Sequence, residues 1–243
     1  MRLLFILSCV FISFSLEAMA NSSNSYLVQR ILERYTETLG GPRSVAALSS
    51  LSVEGYQIQD GTSYQFLMRK KRPNSIRYRL TADETSIVCG FNGRQGWQRT
   101  KVGGEVTIED LSTEQLSVLR DEADFDSPLI HHMEKSWNQI LLVGNEQVGD
   151  TYVNVLEVKK FRKPFVRYYL NPSSGLVLKR VQIHPDGSFG LETQYRDYRE
   201  IAGYQFAFEV ENRIGDQLVS LVRIETIEVN PGLLSFYFEK PKN

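Results

Sequence analysis

The side chains best suited to chemistry form a run of four cations, Arg69 to Arg72, followed directly by Pro73. Guanidinium and ammonium groups bind carboxylates, phosphates or backbone carbonyl oxygens. Proline cannot donate to a strand ladder, so Pro73 predicts a bend between two strands. Beyond the bend, Arg77 and Arg79 alternate with apolar residues, which predicts a solvated strand face that needs no acidic partner. Arg72 differs, because a side chain at a strand end can reach the backbone carbonyls of a neighbouring loop.

Residues of the types used in catalysis form no convincing site in the sequence. His131, His132 and Glu134 are metal-ligand types, but adjacent helical residues point about 100° apart and no further ligand follows at a useful spacing. Cys89 alternates with apolar strand residues and is expected to be small and buried, not a nucleophile. The glycines from Gly90 to Gly96 precede no helix and indicate a hairpin turn. The sequence therefore predicts no enzyme, no catalytic residue, no metal and no cofactor.

Residues 1–20 have the pattern of a secretory signal peptide. Arg2 precedes an apolar run, and Ala18-Met19-Ala20 supplies small residues at the cleavage positions. We expect cleavage before Asn21 and export as a soluble protein. Acylation at Cys9 is the alternative, disfavoured by the short apolar region before it. Cys89 is then the only remaining cysteine, so the exported chain has no internal disulfide, which favours the bacterial periplasm.

The remainder reads as one mainly β domain with a few helices. A formal net charge of −1 gives no global field that would attract nucleic acid. Residues 21–50 predict helices, the first capped by Asn24 or Ser25. Residues 51–243 predict strands, interrupted at about 110–138 by a helical insertion that begins with a capping box at Ser112. The predicted strands are Leu51–Gln59, Ser63–Lys71, Ser75–Thr81, Thr85–Asn92, Gly96–Thr100, Ile140–Glu146, Thr151–Lys160, Phe165–Asn171, Leu176–Ile183, Phe189–Tyr198, Tyr204–Asn212 and Gln217–Val229.

About a dozen antiparallel strands joined by tight turns predict a large, strongly curved sheet with helices against one side. Alternation along the strands makes one face apolar and aromatic and the other polar. That apolar face is either a core filled by the helices or the lining of a half-barrel that holds an apolar ligand under a helical lid. The residues expected to line such a cavity are Phe66, Tyr78, Trp97, Phe206 and Phe208.

Two stretches carry a resemblance to a known family. The segment FLMRKKRPNSIRYRL followed by ETSIVCGFNGRQGW resembles the Arg-Pro-Asn strand, the next strand and the Asn/Asp-Gly-x-x-x-Trp hairpin of the LolA-type periplasmic lipoprotein carriers. The later SFYFEKP is similar to that family's closing Phe-x-Phe-x-x-Pro strand. The resemblance runs in order from Leu51 to Pro241. The chain departs from the carriers in its longer helical preface, Tyr26 to Leu48.

The resemblance implies an incompletely closed antiparallel β-barrel with a helical lid over an apolar cavity. The arginine of the family's Arg-Pro motif, which holds the lid shut through backbone carbonyls, falls on Arg72. The implied partners are a lipid or acylated lipoprotein cargo, an inner-membrane ABC transporter that delivers it and an outer-membrane acceptor, with the carrier a monomer. Two alternatives remain open: a lipid-sensing periplasmic interaction module of the same fold, and a structural protein whose apolar face is filled.

Overall fold

The computed structural model describes residues 10–125, 128–131, 139–159 and 165–242. Its helices are α1 (Val10–Thr38), α2 (Gly41–Ala47), α3 (Thr113–Ala123) and α4 (Pro128–His131), and a 3-10 helix spans Ser235–Phe238. Its strands are β1 (Ser50–Gln59), β2 (Thr62–Lys71), β3 (Ser75–Ala82), β4 (Thr85–Phe91), β5 (Gly96–Val102), β6 (Glu105–Asp110), β7 (Gln139–Val148), β8 (Thr151–Lys159), β9 (Phe165–Leu170), β10 (Val177–Ile183), β11 (Phe189–Ile201), β12 (Tyr204–Ile214) and β13 (Gln217–Val229). The prediction of a mainly β chain with few helices is confirmed.

All thirteen described strands lie in one antiparallel sheet, in the order β6-β5-β4-β3-β2-β1-β13-β12-β11-β10-β9-β8-β7. Most strands pair with their neighbours along the chain, and β1 joins β13 to bring the two halves together. The strands on either side of the helical insertion, β6 and β7, form the two edges of the sheet. Because these edges do not pair, the sheet is open, as the prediction of an incompletely closed barrel requires.

The helices pack against one face of the sheet, which we term the inner face; the opposite side is the outer face. Val28 and Leu32 of α1 pack on β7 to β10 in a cluster that includes Leu156 and Leu170. The other half of the sheet, β3 and β4, is covered by α3 in a second cluster. Helices from two separate parts of the chain therefore cover the two halves of the inner face.

The outer face is not uniformly polar, and in this respect the sequence prediction is wrong. Along β8 to β10 both faces are buried: Leu156 belongs to the inner cluster, whereas its strand neighbour Val155 belongs to an outer one. The residues of the outer cluster are Val153, Val155, Tyr169, Val181 and Ile183. A strand apolar on both faces has no alternation, so its outer side cannot be recognised by a period of two.

The first helix is longer than predicted. It already includes Val10, the first described residue, so Asn24 and Ser25 lie in the helix interior and neither is its cap. The Asn24 amide instead contacts β7: its Nδ2 donates to the Leu142 carbonyl at 3.2 Å, and its Oδ1 accepts from the Leu142 N–H at 3.3 Å. Within the described part of the chain, none of the helices combines the length and the apolar character that a bilayer span requires. Cys9, the disfavoured alternative site of acylation, lies outside the described residues, as do residues 132–138 of the insertion.

Of the predictions for α3 and for the C-terminal segment, the first is confirmed and the second is wrong. The capping box of α3 is confirmed, because Ser112 Oγ accepts from the Gln115 N–H and the Gln115 side chain accepts from the Ser112 N–H. The C-terminal segment predicted as a closing strand is instead the 3-10 helix Ser235–Phe238. This segment follows Asn230, whose φ is 56°, and Gly232, whose φ is 70°, so the chain turns away from the sheet before it. It packs against β3.

Candidate functional site

Arg72 lies one residue beyond β2, beside the C-terminal end of α2. Its guanidinium donates from Nε to the Leu48 carbonyl at 2.6 Å and from Nη2 to the Val45 carbonyl at 3.0 Å. Its backbone N–H donates to the Ser49 carbonyl at 2.9 Å. The last carbonyls of a helix lack intrahelical donors and carry partial negative charge. Arg72 therefore supplies both the donors and the positive charge that this helix end requires.

Two further residues of the sheet hold the same helix end. Tyr204, at the start of β12, donates its hydroxyl to the Ser44 carbonyl at 2.7 Å. Asn230, directly after β13, donates Nδ2 to the Ala47 carbonyl at 3.2 Å and accepts the Ser49 N–H at 2.7 Å. With Arg72, these contacts attach α2 to the ends of three strands, β2, β12 and β13.

The insertion reaches Arg72 through Phe125, which follows α3. The Arg72 guanidinium carbon lies 5.1 Å from the centroid of the Phe125 ring, and Lys70 Nζ lies 4.9 Å from it. Lys70 also donates Nζ to the Asp124 carbonyl at 3.0 Å. The family resemblance implied that Arg72 holds lid carbonyls. Its acceptors are instead Val45 of α2 and Leu48, which directly follows α2, and the insertion contacts Arg72 through an aromatic ring. The covering elements near Arg72 therefore include α2.

The insertion crosses the inner face from one half of the sheet to the other. Leu119 of α3 packs on β3 and β4, Phe125 joins the cluster over β1, β2, β12 and β13, and Leu129 of α4 packs with α1 on β7 to β9. Glu122 of α3 forms an ion pair of 3.6 Å with Arg180 in β10. A segment with contacts at both sides and at the middle of the sheet is arranged as a lid would be.

The ion pair lies among tyrosines of the inner face. Burial by itself would lower the pKa of Arg180, but the neighbouring Tyr195, Glu122 and Tyr168 hold that pKa above its ordinary value. Burial likewise raises the pKa of Tyr195 and of Tyr168, so both phenols stay neutral. Arg180 is therefore a permanent cation, and it ties α3 to the half of the sheet that α3 does not otherwise cover.

Four of the five residues predicted to line a cavity share the inner face. Phe66 and Phe206 lie half-buried at the margin of the cluster over β1, β2, β12 and β13, whereas Phe208 is 4% exposed and lies within it. Tyr78 belongs to the adjacent cluster under α3, and Met68 contacts both clusters. The structure thus brings these four aromatic residues onto one continuous surface.

Trp97 is not part of that surface. It pairs across the strands with Gly90, which in turn pairs with Arg77, so its side chain lies on the outer face. The ring is 2% exposed, and Nε1 donates to the Phe238 carbonyl at 3.0 Å. A Cβ on Gly90 would meet the indole at 2.5 Å, so only glycine leaves room for this ring. In the structure, Trp97 attaches the C-terminal 3-10 helix to the sheet.

Trp97→Phe is expected to destabilise the protein by about 1–3 kcal/mol, because the buried Phe238 carbonyl loses its donor. The expected accompanying change is faster proteolytic cleavage of the C-terminal segment in the otherwise native protein. Tyr198→Phe is a suitable control, since it removes a hydroxyl that donates to the Val177 carbonyl at 2.6 Å in the other half of the sheet. Denaturant unfolding should detect both losses, but only the Trp97 variant should show the altered cleavage; equal cleavage in both would contradict the assignment.

Cys89 is buried, as the alternation in its strand predicted. Its Sγ donates to Gln98 Oε1 at 3.4 Å, and burial raises the pKa of the thiol. A thiol held in its protonated form in this way is a packing residue of β4.

Three residues around Arg72 were not anticipated from the sequence: Tyr204, Asn230 and Phe125. Asn230 had a detectable signal, because asparagine before Pro231-Gly232 is typical of a turn with a left-handed residue. Phe125 had a weaker one, as an aromatic residue just beyond a helix that the capping box had located. Tyr204 had none, since its hydroxyl reaches a residue 160 positions away in the chain.

Solved structures with this fold exist at low sequence identity. A LolA superfamily protein from Nitrosomonas europaea is 17% identical, with a TM-score of 0.58, over 88% of this chain and 97% of that one. A DUF1329 family protein from Desulfovibrio piger is 12% identical, also with a TM-score of 0.58, over 87% of this chain and 97% of that one. No family model and no curated protein matches the chain. The chain therefore has the fold of LolA superfamily proteins: an open, mainly antiparallel sheet with helices packed on its inner face.

Proposed function

We propose that the protein is a periplasmic carrier that binds the acyl chains of a lipid or a lipoprotein on the inner face of its sheet and delivers them towards the outer membrane. The observation that carries the proposal is the arrangement of the inner face. An aromatic surface that includes Phe66, Tyr78 and Phe206 runs beneath an insertion and a helix, which are held by apolar packing and by polar contacts at the strand ends. The LolA-like fold supports the same role.

The energetics of such a site are favourable. A hydrogen bond between protein groups contributes only about 0.5–1.5 kcal/mol net, because water replaces it when it breaks. Displacing Phe125 and the residues beside it would therefore cost a few kcal/mol at the polar contacts. An acyl chain that buries about ten methylene groups supplies roughly 8 kcal/mol. The cargo can thus offset the loss of the polar contacts around Phe125.

The role is one of binding and transfer, without chemical conversion and without a cofactor. We further propose that an inner-membrane transporter donates the cargo and that an outer-membrane protein accepts it, with the carrier acting as a monomer. Neither partner needs to recognise the inner face directly, since lid movement alone alters the affinity for the cargo.

The test is mass spectrometry of the lipid extracted from protein purified out of periplasm, together with titration of the delipidated protein with a fluorescent fatty-acid probe. We expect a bound acyl lipid and saturable probe binding with one site per chain. A matched sample with Arg180→Gln should still bind the acyl probe if the aromatic surface provides the affinity. Absence of both lipid and probe binding in the parent protein would refute the proposed function.

Export can be tested separately. We expect the mature protein to begin at Asn21, because small residues occupy the cleavage positions after the apolar run. N-terminal sequencing of the periplasmic protein checks this start directly. A mature form that begins with an acylated Cys9 would place the protein on a membrane and contradict the expected soluble carrier.

A further inference from the structure

Four arginines on neighbouring strands of the outer face form a patch that the proposed function does not use. They are Arg69 of β2, Arg77 and Arg79 of β3, and Arg99 of β5, and we term them the arginine patch. Arg69 lies directly opposite Arg77, while Arg79 and Arg99 both lie opposite Val88 of β4. Their strand neighbours Ile76 and Tyr78 belong to the cluster under α3, so the patch and the aromatic surface lie on opposite faces.

The charge of the patch is not compensated by carboxylates. Among the described residues, no Asp or Glu forms an ion pair with any of the four arginines. Glu54 and Glu225 share a depression of 180 Å³ with Arg79, yet neither comes within ion-pair distance of it. β4, between Arg79 and Arg99, contributes Val88 and Gly90, which carry no charge.

Arginines elsewhere on the outer face are arranged differently. Arg196 of β11 lies 3.2 Å from Glu209 and 2.8 Å from Glu211, and Arg223 of β13 lies 3.5 Å from Glu209. These pairs show that this face of the sheet accommodates arginines by placing carboxylates opposite them. The arginine patch lacks that arrangement.

Burial makes the lack of partners more costly. The Nε atoms of Arg69 and Arg77 are buried, and no acceptor for either lies among the described residues. Burial, and after it the charges of Arg79 and Arg69, lowers the pKa of Arg77. Like charges directly opposite each other on paired strands destabilise a sheet, and a buried donor without an acceptor is rarely left unpaired in a native protein. One compensating contact is present, since Arg69 lies 5.0 Å from the ring of Tyr237 in the C-terminal 3-10 helix.

We propose that the arginine patch binds a phosphate group. Each guanidinium offers five N–H donors in a fixed fork that matches the oxygens of a phosphate, and several forks can share one tetrahedral anion. An anion bound by Arg77, Arg79 and Arg99 offsets the repulsion among their positive charges. The phosphate is either free phosphate or the head group of an anionic phospholipid. Because the patch and the aromatic surface lie on opposite faces, both can be occupied at once, and this inference does not depend on the proposed function.

The test compares the parent protein with two double variants of equal charge. Arg77→Gln/Arg99→Gln removes two arginines of the patch, and Arg196→Gln/Arg223→Gln removes two arginines of the same face that are paired with carboxylates. The first probe is inorganic phosphate, measured by calorimetry and by the thermal unfolding midpoint against chloride at equal ionic strength. The second is a pair of vesicle preparations, phosphatidylcholine alone and phosphatidylcholine with phosphatidylglycerol, measured by co-sedimentation.

We expect phosphate to raise the unfolding midpoint of the parent and of the paired-arginine variant, because a ligand of the native state stabilises it. The patch variant should bind at least about tenfold more weakly, the loss that removal of charge-assisted contacts predicts. Binding to the anionic vesicles should fall as salt rises, since exposed charges are screened. Binding of inorganic phosphate identifies free phosphate as a ligand, and binding of the anionic vesicles alone identifies the lipid head group.

The same variants also define the results that would overturn the phosphate proposal. The ligand-free patch variant should be at least as stable as the parent, because two repelling charges are gone; Arg99→Gln alone serves if the double variant does not fold. Binding of a polyglutamate peptide by the patch, with no response to either phosphate probe, would overturn the proposal in favour of an acidic protein. Equal binding by the patch variant and the parent would overturn it as well. None of these measurements uses an acyl probe, so the carrier function stands or falls separately.

Discussion

Arg72→Leu is expected to lower the free energy of unfolding by about 2–4 kcal/mol and to release α2 and Phe125 from the strand ends. Two charge-assisted hydrogen bonds to the carbonyls of Val45 and Leu48 disappear, each worth roughly 1.5–3 kcal/mol where solvent is excluded. The contact of the guanidinium with Phe125 adds about 0.5–1 kcal/mol. Partial access of water to the site reduces the sum to the range given. The fold should persist, because the sheet pairing does not involve this side chain.

The functional consequence should be a more accessible inner face. Binding of a hydrophobic dye is expected to increase, and release of an acyl probe to become faster, because the elements that cover the aromatic surface are less firmly held. Arg72→Lys should largely behave like Arg72→Leu. The N–H donors of an ammonium group all lie on one nitrogen, whereas the guanidinium reaches the two carbonyls from two separate nitrogens. Arg77→Leu on the outer face is the control and should leave dye binding unaltered. Unchanged dye binding and stability in Arg72→Leu would show that Arg72 does not hold the cover.

The sheet could be predicted from the sequence wherever a strand is buried on one side only. Along β12, Phe206 and Phe208 face the helices while Glu209 and Glu211 face arginines of the outer face, and this alternation is visible in the sequence. The strand β6 was missed because its two central apolar residues, Val106 and Ile108, lie among acidic ones that disfavour strands. The tight turn Asp60-Gly61 was found because only residues that tolerate a positive φ, here 50° and 75°, fit there.

Trp97 was assigned to the wrong face of the sheet, although the alternation of side chains along its strand indicated the correct one. A hairpin loop of either two or four residues after Phe91 places Trp97 opposite Val88 or Gly90, and both share the outer face. Trp97 was grouped with the inner residues for its aromatic character, although Cys89 and Ile87 mark the inner face of the adjacent strand. Aromatic side chains also pack on the outer face, where Trp97 attaches the C-terminal 3-10 helix to the sheet.

The surroundings of Arg72 were predictable only in outline. Its position at a strand end and the geometry of guanidinium indicated backbone carbonyls as acceptors, but not which segment would supply them. That choice depends on α2, whose end is fixed by Tyr204 and Asn230 from strands far along the chain. Such contacts arise because β1 pairs with β13, which brings the two halves of the chain together, and they leave no periodic signal in either segment.

Phe208→Ala is expected to cost about 3–5 kcal/mol of stability, whereas Phe206→Ala should cost about 1 kcal/mol. Both side chains lie on the inner face of β12, but Phe208 is 4% exposed and packed among Leu51, Val53 and Ile227, while Phe206 is half-buried at the cluster margin. Truncation of a packed ring leaves a void that its neighbours fill only in part, and truncation of a ring beside open space removes less packing.

The two variants therefore separate core from binding surface. Affinity for an acyl probe should fall in Phe206→Ala, because that ring is part of the surface on which the chain is proposed to bind. Phe189→Ala, at a ring that is 66% exposed, is the control and should alter stability by no more than about 0.5 kcal/mol. Denaturant unfolding and probe titration of the three variants give the answer together. Losses of 3–5 kcal/mol at both Phe206 and Phe208, with no probe binding in the parent, would identify the inner face as a filled core and exclude carriage of an acyl chain there.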